Sequence, residues 1–318
     1  REYNEEFRPW TRTSTTAEAD VDRQPGGRMT RIAKSSTDGM LWGVILLWLF
    51  VTLTSFFFPT ILSANTARFI NVLLLSVFTL VHGARAYTAV GIGVYFLIAV
   101  IITNFFENMS ISTGFPFGQY HHTAAMGPKL WHVPLIVGPI FAVAGYLAWM
   151  IAGILLGEVF SSRGGVAFAR PLIAAFITTS WDFCVDAIGG TANRDWVWAD
   201  GGPWFGVPWS NFFGWMLTMW VIFQIFAFYL AKREKPAAVP ESVAYWRQPI
   251  VYWLLIALQF PLLAFIVPAA DLTDPTGQVW RTSDLFQSMA LTSVFTMIFT
   301  ALLAWIILAR QTLQAPEV

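Results

Sequence analysis

Two acidic residues, Asp182 and Asp186, close an apolar run and stand directly before a loop that is dense in Trp, Gly and Pro. A spacing of four residues places both carboxyl groups on one face of a helix, about 6 Å and about one turn apart. Two carboxyl groups that are this close and partly desolvated do not both ionise easily, so one is expected to stay protonated beside an ionised partner. Such a pair is suited to general acid–base catalysis.

The alternative explanation is that the pair solvates the wet end of a helix. Against it, the neighbouring residues between positions 181 and 188 are apolar or aromatic. Ionisable groups at membrane depth are rare unless they face a cavity or a partner, which favours a functional role. The single cysteine, Cys184, lies in the same run and is interpreted as a small buried hydrophobe.

Other polar residues follow apolar runs or lie in the loops. Glu107 and Asn108 end an earlier run, where an interfacial cap and a catalytic role are equally compatible with the sequence. Asp195 and Asp200 lie among tryptophans, and Asp195 is interpreted as a solvated loop acid. Asn211 begins a later run, where the ordinary explanation is a helix N-cap.

Three histidines, His121, His122 and His132, lie in one loop. Adjacent His side chains seldom converge on one ion, and neither a His-x-x-x-His pair nor a cysteine cluster accompanies them. We therefore expect no metal site. One of these imidazoles could relay a proton, since their ordinary pKa is about 6.5.

Tryptophan is abundant, and most of the 16 residues are expected to lie in interfacial belts. One group, however, adjoins the acids. An aromatic face stabilises a cation by up to about 2 kcal/mol when water is excluded. An aromatic pocket with a protonated acid could protonate an alkene. The group comprises Trp196, Trp198, Trp204, Trp209 and Trp215.

Composition predicts an all-α polytopic membrane protein, because 56% of residues are hydrophobic, 12% are charged and the mean hydropathy is +0.58. A net charge of zero without a basic run gives no footprint for nucleic acid. Membrane-crossing helices need about 20 apolar residues. The candidate spans are 40–62, 69–86, 90–106, 133–156, 167–188, 211–231, 249–267 and 285–309. The second and third are short and separated by few residues, so a re-entrant pair at 82–90 is an open alternative.

Lysine and arginine collect at one set of span ends, which predicts both termini in the cytoplasm and an even number of spans. Residues 1–39 are expected to form a disordered cytoplasmic tail, 40–310 the transmembrane catalytic domain and 311–318 a short C-terminal tail. This topology places the loops 107–132 and 189–210 on the same non-cytoplasmic side. Both loops have a core of Gly, Pro and aromatic residues, which predicts ordered turns.

Three segments carry a resemblance to a known family. They are ENMSISTGFPFGQY at 107–120, the acids Asp182 and Asp186, and WVWADGGPWFGVPWSNFFGW at 196–215. They resemble the integral-membrane carotenoid hydratases, the family of bisanhydrobacterioruberin, gamma-carotene and lycopene hydratases. The similarity covers most of the membrane region. One departure is Ala187, where the family pattern has proline after the second acid.

The resemblance implies a cofactor-independent hydro-lyase that adds water to the terminal isopropylidene double bond of an acyclic carotenoid. The implied partners are this carotenoid, water, the bilayer of a prokaryotic plasma membrane, and other enzymes of the carotenoid pathway. Asp182 and Asp186 are predicted as proton donor and conjugate partner, and Glu107 or a nearby His as the group that positions water. The predicted substrate-binding residues are Asn108, Phe117, Tyr120, His121, Trp196, Trp198, Trp204, Phe205, Asn211 and Trp215.

Two other classes remain open. Membrane prenyltransferases also carry Asp-x-x-x-Asp on helices, where the carboxylates hold Mg²⁺ and a diphosphate, but they need a second acidic motif and basic residues. Only Lys129 and Arg194 lie near the acids in this sequence. The second class is a non-enzymatic protein that binds or transports a carotenoid or lipid and uses the acids as a proton relay.

Overall fold

The computed structural model describes residues 36–157, 168–233 and 242–314. The predicted N-terminal tail lies outside the described residues as far as position 35, and the predicted C-terminal tail lies outside them from position 315. Several of the basic residues on which the predicted membrane orientation rests also lie outside the described residues, among them Arg28, Arg163 and Lys235.

The described chain is almost entirely helical, as the sequence predicts, and three short strand pairs lie in its loops. The helices are α1 (Ser36–Phe57), α2 (Ala64–Thr113), α3 (Val137–Leu155), α4 (Ala169–Asp186), α5 (Trp209–Ala231), α6 (Val243–Ile266), α7 (Thr282–Thr292) and α8 (Phe299–Gln314). The strands are β1 (Tyr120–His122), β2 (Lys129–Leu130), β3 (Val133–Pro134), β4 (Trp196–Trp198), β5 (Asp271–Thr273) and β6 (Val279–Arg281). Antiparallel pairs form between β1 and β4, β2 and β3, and β5 and β6. A π-helical turn, Ala187–Ala192, continues α4, and another, Ser293–Ile298, joins α7 to α8.

Seven helices of the described ranges are long and apolar enough to cross a membrane, with α7, the second π-helical turn and α8 counted together as one. Helix α2 is twice the usual length of a membrane-crossing helix. Its 50 residues would extend about 75 Å as a straight helix, against a hydrocarbon core of about 30 Å. The helix breaks at Thr88, which has φ 67° and ψ 163°. The two halves fold back on each other there, because a Cβ added at Gly83 would lie 2.5 Å from Ile92 Cδ1. The halves 64–87 and 89–113 therefore supply two of the eight predicted segments. The tight turn between them is centred on Thr88.

Helix α3 is the centre of the bundle. It is buried along nearly its whole length and packs on α2, α4, α6 and α8. Gly145 allows this close packing, because a Cβ there would lie 2.5 Å from Met219 Cε and 2.9 Å from Tyr95 Oη. The apolar core of the described bundle is consequently arranged around one helix.

The helix ends fall into two groups. At one end of the bundle, Asp38 in α1 forms an ion pair of 2.5 Å with Arg85 in α2, and Arg233 after α5 donates to the Tyr87 carbonyl. Gln311 in α8 lies beside Gly157 at this same end. The first and last described helices therefore have their outer termini on one side, which agrees with an even number of crossings. The opposite end carries all three strand pairs and is called the site end below.

One boundary differs from the prediction for a clear reason. Helix α6 begins at Val243, six residues before the predicted start at position 249. The extra turn carries the polar residue Gln248, which is buried and donates to the Asp38 carbonyl. Hydropathy alone starts the span too late, because it does not register that the polar Gln248 has a buried partner.

Candidate active site

The two acids of α4 share one partner. Asp182 and Asp186 lie on the same face of the helix, as their spacing predicts, and the Asn211 side-chain amide in α5 donates to both. Asn211 Nδ2 lies 3.3 Å from Asp182 Oδ2 and makes a shorter hydrogen bond to Asp186 Oδ2. All three side chains are buried, and Asp182 Oδ1 makes no hydrogen bond with any described atom. Two carboxyl groups thus share one amide NH2 group in an apolar interior.

A third carboxyl group, that of Glu107, belongs to the second half of α2. Tyr120 Oη donates to Glu107 Oε2, and His122 Nε2 lies 2.9 Å from the same oxygen. Burial, and then the adjacent Glu107, raise the pKa of Tyr120 well above its ordinary value of about 10, so the phenol remains a donor at neutral pH. Glu107 is consequently held by two side chains of one strand.

Strand β1 explains why these two side chains converge. It pairs with β4 in the register Tyr120↔Trp198 and His122↔Trp196, so the two predicted loops meet at the site end. Alternate residues of a strand point to opposite faces. Tyr120 and His122 are therefore buried towards Glu107, whereas His121 between them is exposed.

A cavity of about 340 Å³ opens beside these groups. Asp186, Asn211 and Glu107 lie in its wall, and most of the remaining surface is aromatic or aliphatic. Trp215 is one such wall residue and stacks between Phe117 and Phe141. The volume is near the lower limit of about 300–1,000 Å³ for small-molecule pockets, so it fits the end of a long substrate. Aromatic lining residues include Trp48, Trp181, Trp196, Trp198, Trp215 and Trp253.

An ion pair stands at the site end of the cavity. Arg68 Nη2 lies 2.5 Å from Asp195 Oδ2, and Arg68 Nη1 lies 3.0 Å from Met126 Sδ. The π-helical turn positions Asp195, whose backbone N–H donates to the Gly189 carbonyl. Gly189 is required there, because a Cβ would lie 2.2 Å from the Trp196 ring. The turn thus links the acids of α4 to the loop that closes the cavity.

The predicted site residues divide into those that line the cavity and those that do not. Seven line it: Glu107, Tyr120, Asp186, Trp196, Trp198, Asn211 and Trp215. Asp182 lies behind Asn211, and Phe117 lies behind Trp215.

Four predicted substrate-binding residues lie outside the wall of this cavity. His121 is exposed on the outer face of β1. Asn108 accepts from the His132 backbone N–H and donates to the Asn104 carbonyl. Trp204 donates to the Phe183 carbonyl and Phe205 packs on Trp280, so both residues shape the loop that precedes α5.

Two further interpretations are wrong. Asp195 is buried and paired with Arg68, and is therefore not a solvated loop acid. Asn211 is not an N-cap, because α5 begins at Trp209 after Pro208, and its amide bridges the two acids instead.

Sequence reasoning missed several cavity residues. Arg68 and Asn71 lie in the first half of α2, and Trp253 and Gln259 lie in α6, all far in sequence from the acids. Arg68 stands directly before the predicted span 69–86, at the set of span ends that carries few basic residues. A cation at that position within an apolar helix was the available signal for a paired carboxylate.

The described residues contain no group of three or more His, Cys, Asp and Glu side chains arranged to hold a metal ion. The cation that lines the cavity within the described ranges, Arg68, is already engaged by Asp195.

The fold and site together define a polytopic α-helical membrane protein with buried carboxyl groups beside an aromatic cavity. The chain belongs to the carotenoid biosynthesis protein family, whose model matches residues 67–273. That match includes all three carboxyl groups and Arg68.

A curated relative is bisanhydrobacterioruberin hydratase from Haloarcula japonica, which is 28% identical over 123 residues. The match covers 38% of this chain and 40% of the relative, so less than half of the relative's length is matched. No solved structure matches the chain.

Proposed function

We propose that this protein is a carotenoid hydratase that adds water to the terminal isopropylidene double bond of an acyclic carotenoid. The main support is that Asp186, Asn211 and Glu107 meet in the wall of one aromatic cavity at the site end of a membrane bundle. Family membership and the similarity to a hydratase from Haloarcula japonica point to the same chemistry. A carotenoid resides in the bilayer, and its end group would meet water at this depth.

Asp186 is the proposed proton donor, because it lines the cavity whereas Asp182 does not. Transfer of its proton to the less substituted alkene carbon leaves a tertiary carbocation. Asp182 shares the Asn211 amide with Asp186, so it acts by holding the donor in place. Proton transfer by a positioned side chain contributes about 10²–10⁴-fold to a rate.

Glu107 is the proposed base. It is anchored by Tyr120 and His122 and reaches the same cavity. The oxygen of a water molecule bonds to the cation, one water proton passes to Glu107, and the tertiary alcohol is released. A proton then returns from Glu107 to Asp186 through solvent, so one water is consumed and both acids are restored.

The cavity wall suits the cationic intermediate. Trp181, Trp198 and Trp215 contribute aromatic surface, and an indole face stabilises a desolvated cation by about 2 kcal/mol. The apolar wall also limits water near the cation. The residues that form it would hold the polyene and disfavour loss of the cation to side reactions.

The test is expression in cells that accumulate lycopene or a related acyclic carotenoid, followed by mass spectrometry of the pigments. The wild-type chain should give a product heavier by one water that takes up label from heavy-oxygen water. Asp186→Asn should reduce product formation by about 10²-fold or more. Asp200→Asn, a loop acid outside the cavity wall, is the matched control and should remain active.

Unchanged pigment across several acyclic end groups, with the wild-type protein present and folded in the membrane, would refute the hydratase proposal. Magnesium-dependent turnover of a prenyl diphosphate would instead support the prenyltransferase alternative. The Asn211 amide bound to both acids and the engaged Arg68 give that alternative no support.

A further inference from the structure

The cavity has a second polar position, formed by Thr52 in α1 and Asn71 in α2. Thr52 Oγ1 donates to the Trp48 carbonyl at 2.9 Å, as a helical threonine commonly does. Asn71 Nδ2 donates to Thr52 Oγ1, also at 2.9 Å. Because the threonine proton is already used, the hydrogen between the two side chains comes from the Asn71 amino group. The orientation of the Asn71 amide is therefore fixed.

This orientation leaves Asn71 Oδ1 buried and without a hydrogen bond to any described atom. Burying an acceptor without a donor is energetically unfavourable. The neighbouring wall of α2 is apolar, with Val72 and Leu75. Asn71 is thus a residue of the cavity wall whose amide oxygen lacks a donor, next to apolar residues of the same helix.

The position along α2 is also informative. Asn71 lies three residues beyond Arg68, which is about 4.5 Å along the helix axis from the ion pair at the site end. Leu75 lies one turn further in, beside the apolar part of the wall. Asn71 therefore marks the boundary between the polar opening and the apolar interior of the cavity.

We infer that Asn71 Oδ1 accepts a hydrogen bond from a hydroxyl group in the cavity. This inference rests on the proposed hydratase function. Two sources share the required chemistry: the water that attacks the cation, and the tertiary hydroxyl of a hydrated carotenoid end. In the first case Asn71 orients the nucleophile, and in the second it makes the cavity selective for a hydroxylated end group.

The test uses Asn71→Leu, which removes the acceptor and keeps a similar volume. Asn104→Leu is the matched control, because Asn104 also lies in α2 with a buried, unpartnered Oδ1 but outside the cavity wall. Thr52→Val is the second variant; it removes the group that orients Asn71 and should act in the same direction. Thermal unfolding of the purified proteins checks that each variant is folded.

Binding is measured first, by titrating an acyclic carotenoid and its end-hydroxylated derivative and following the polyene absorbance in an Asp186→Asn background. If the ligand hydroxyl is the donor, Asn71→Leu should weaken binding of the hydroxylated compound about tenfold, or about 1.4 kcal/mol, and leave the parent alkene unchanged. If water is the donor, both affinities should stay unchanged. The kcat measured with native Asp186 should then fall about tenfold or more at constant KM.

Equal behaviour of Asn71→Leu and Asn104→Leu in binding, kcat and KM would overturn the inference. Should Asn71→Leu fail to fold, the same comparison between Thr52→Val and Asn104→Leu decides the question. Failure of the hydratase proposal is seen separately, as a wild-type chain that binds carotenoids and yields no hydrated product.

Discussion

At the residue scale, the candidate site depends on how a few hydrogen-bond donors are divided among three carboxyl groups. Asp182 and Asp186 share Asn211, whereas Glu107 has both Tyr120 and His122. Carboxyl groups that face an apolar interior require such partners, since an unpaired charge is costly there. The uneven division suits the proposed roles, because a proton donor needs fewer donors around it than a proton acceptor.

The Asn211 amide should therefore be important for stability as well as for function. Asn211→Leu would leave two buried carboxyl groups facing each other without a donor, and should lower the free energy of unfolding by about 1–3 kcal/mol. The measurement is chemical or thermal unfolding in detergent. Asn108→Leu serves as the comparison, because it removes a side-chain amide near the end of α2 that lies outside the cavity wall.

A double variant separates the amide's two contacts. If Asn211 stabilises the fold chiefly through its hydrogen bonds to the acids, the double variant Asn211→Leu, Asp182→Asn should lose less free energy of unfolding than the sum of the two single variants. Additive costs would show that the amide and Asp182 stabilise the bundle independently.

At the scale of single elements, the π-helical turn after α4 and the strand pair β1–β4 carry the geometry of the site. The turn brings Gly189 against Trp196, and the strand pair brings Tyr120 against Trp198. Both elements are short, with six residues in the turn and three in each strand. Small changes in these elements are expected to have large effects on the cavity.

Gly189→Ala tests this dependence. The added Cβ would lie 2.2 Å from the Trp196 ring, so the indole or the turn must shift. We expect loss of most activity and a destabilisation of about 1–3 kcal/mol from overpacking. Gly93→Ala is the control, because nothing lies within 4 Å of a Cβ at that helical position. Wild-type activity in Gly189→Ala would mean that the turn does not position the wall.

The β5–β6 hairpin supports the aromatic loop from outside, through Trp280 against Phe205. Its Asp274 accepts from Thr276, from Trp280 Nε1 and from the Gln278 backbone N–H. Burial raises the pKa of Asp274, but these hydrogen bonds outweigh it and hold the pKa below its ordinary value. The carboxylate is therefore the form that the folded hairpin prefers.

This preference gives a pH dependence with a definite sign. Because the folded pKa is lower than the unfolded value of about 3.9, the stabilisation is complete above about pH 5 and is lost as the pH falls through the folded pKa. Asp274→Asn loses the charged hydrogen bond from Trp280, worth about 1.5–3 kcal/mol. The difference in unfolding temperature between wild type and variant should be constant above pH 5 and narrow below it. A constant difference in unfolding temperature for Asp274→Asn across this pH range would contradict the assignment.

At the scale of the whole molecule, the sequence predicts what depends on local periodicity. The shared face of Asp182 and Asp186 follows from 3.6 residues per turn, and the spans follow from hydropathy. The pairing of Arg68 with Asp195, 127 residues apart, depends on tertiary packing that no local pattern encodes. Which of His121 and His122 faces Glu107 depends on where β1 begins, since a shift of one residue exchanges the two faces of a strand.

Orientation in the membrane is the remaining prediction at this scale. The charge distribution predicts the site end outside and the opposite end in the cytoplasm. Cys184, the single cysteine, is buried, so Cys184→Ala gives a background for labelling with a membrane-impermeant maleimide. In intact cells, Gly277→Cys in the β5–β6 hairpin should react, whereas Lys232→Cys after α5 should react only after lysis. The reverse pattern would place the carboxyl groups near the cytoplasmic surface, and the water used by the proposed reaction would then enter from that side.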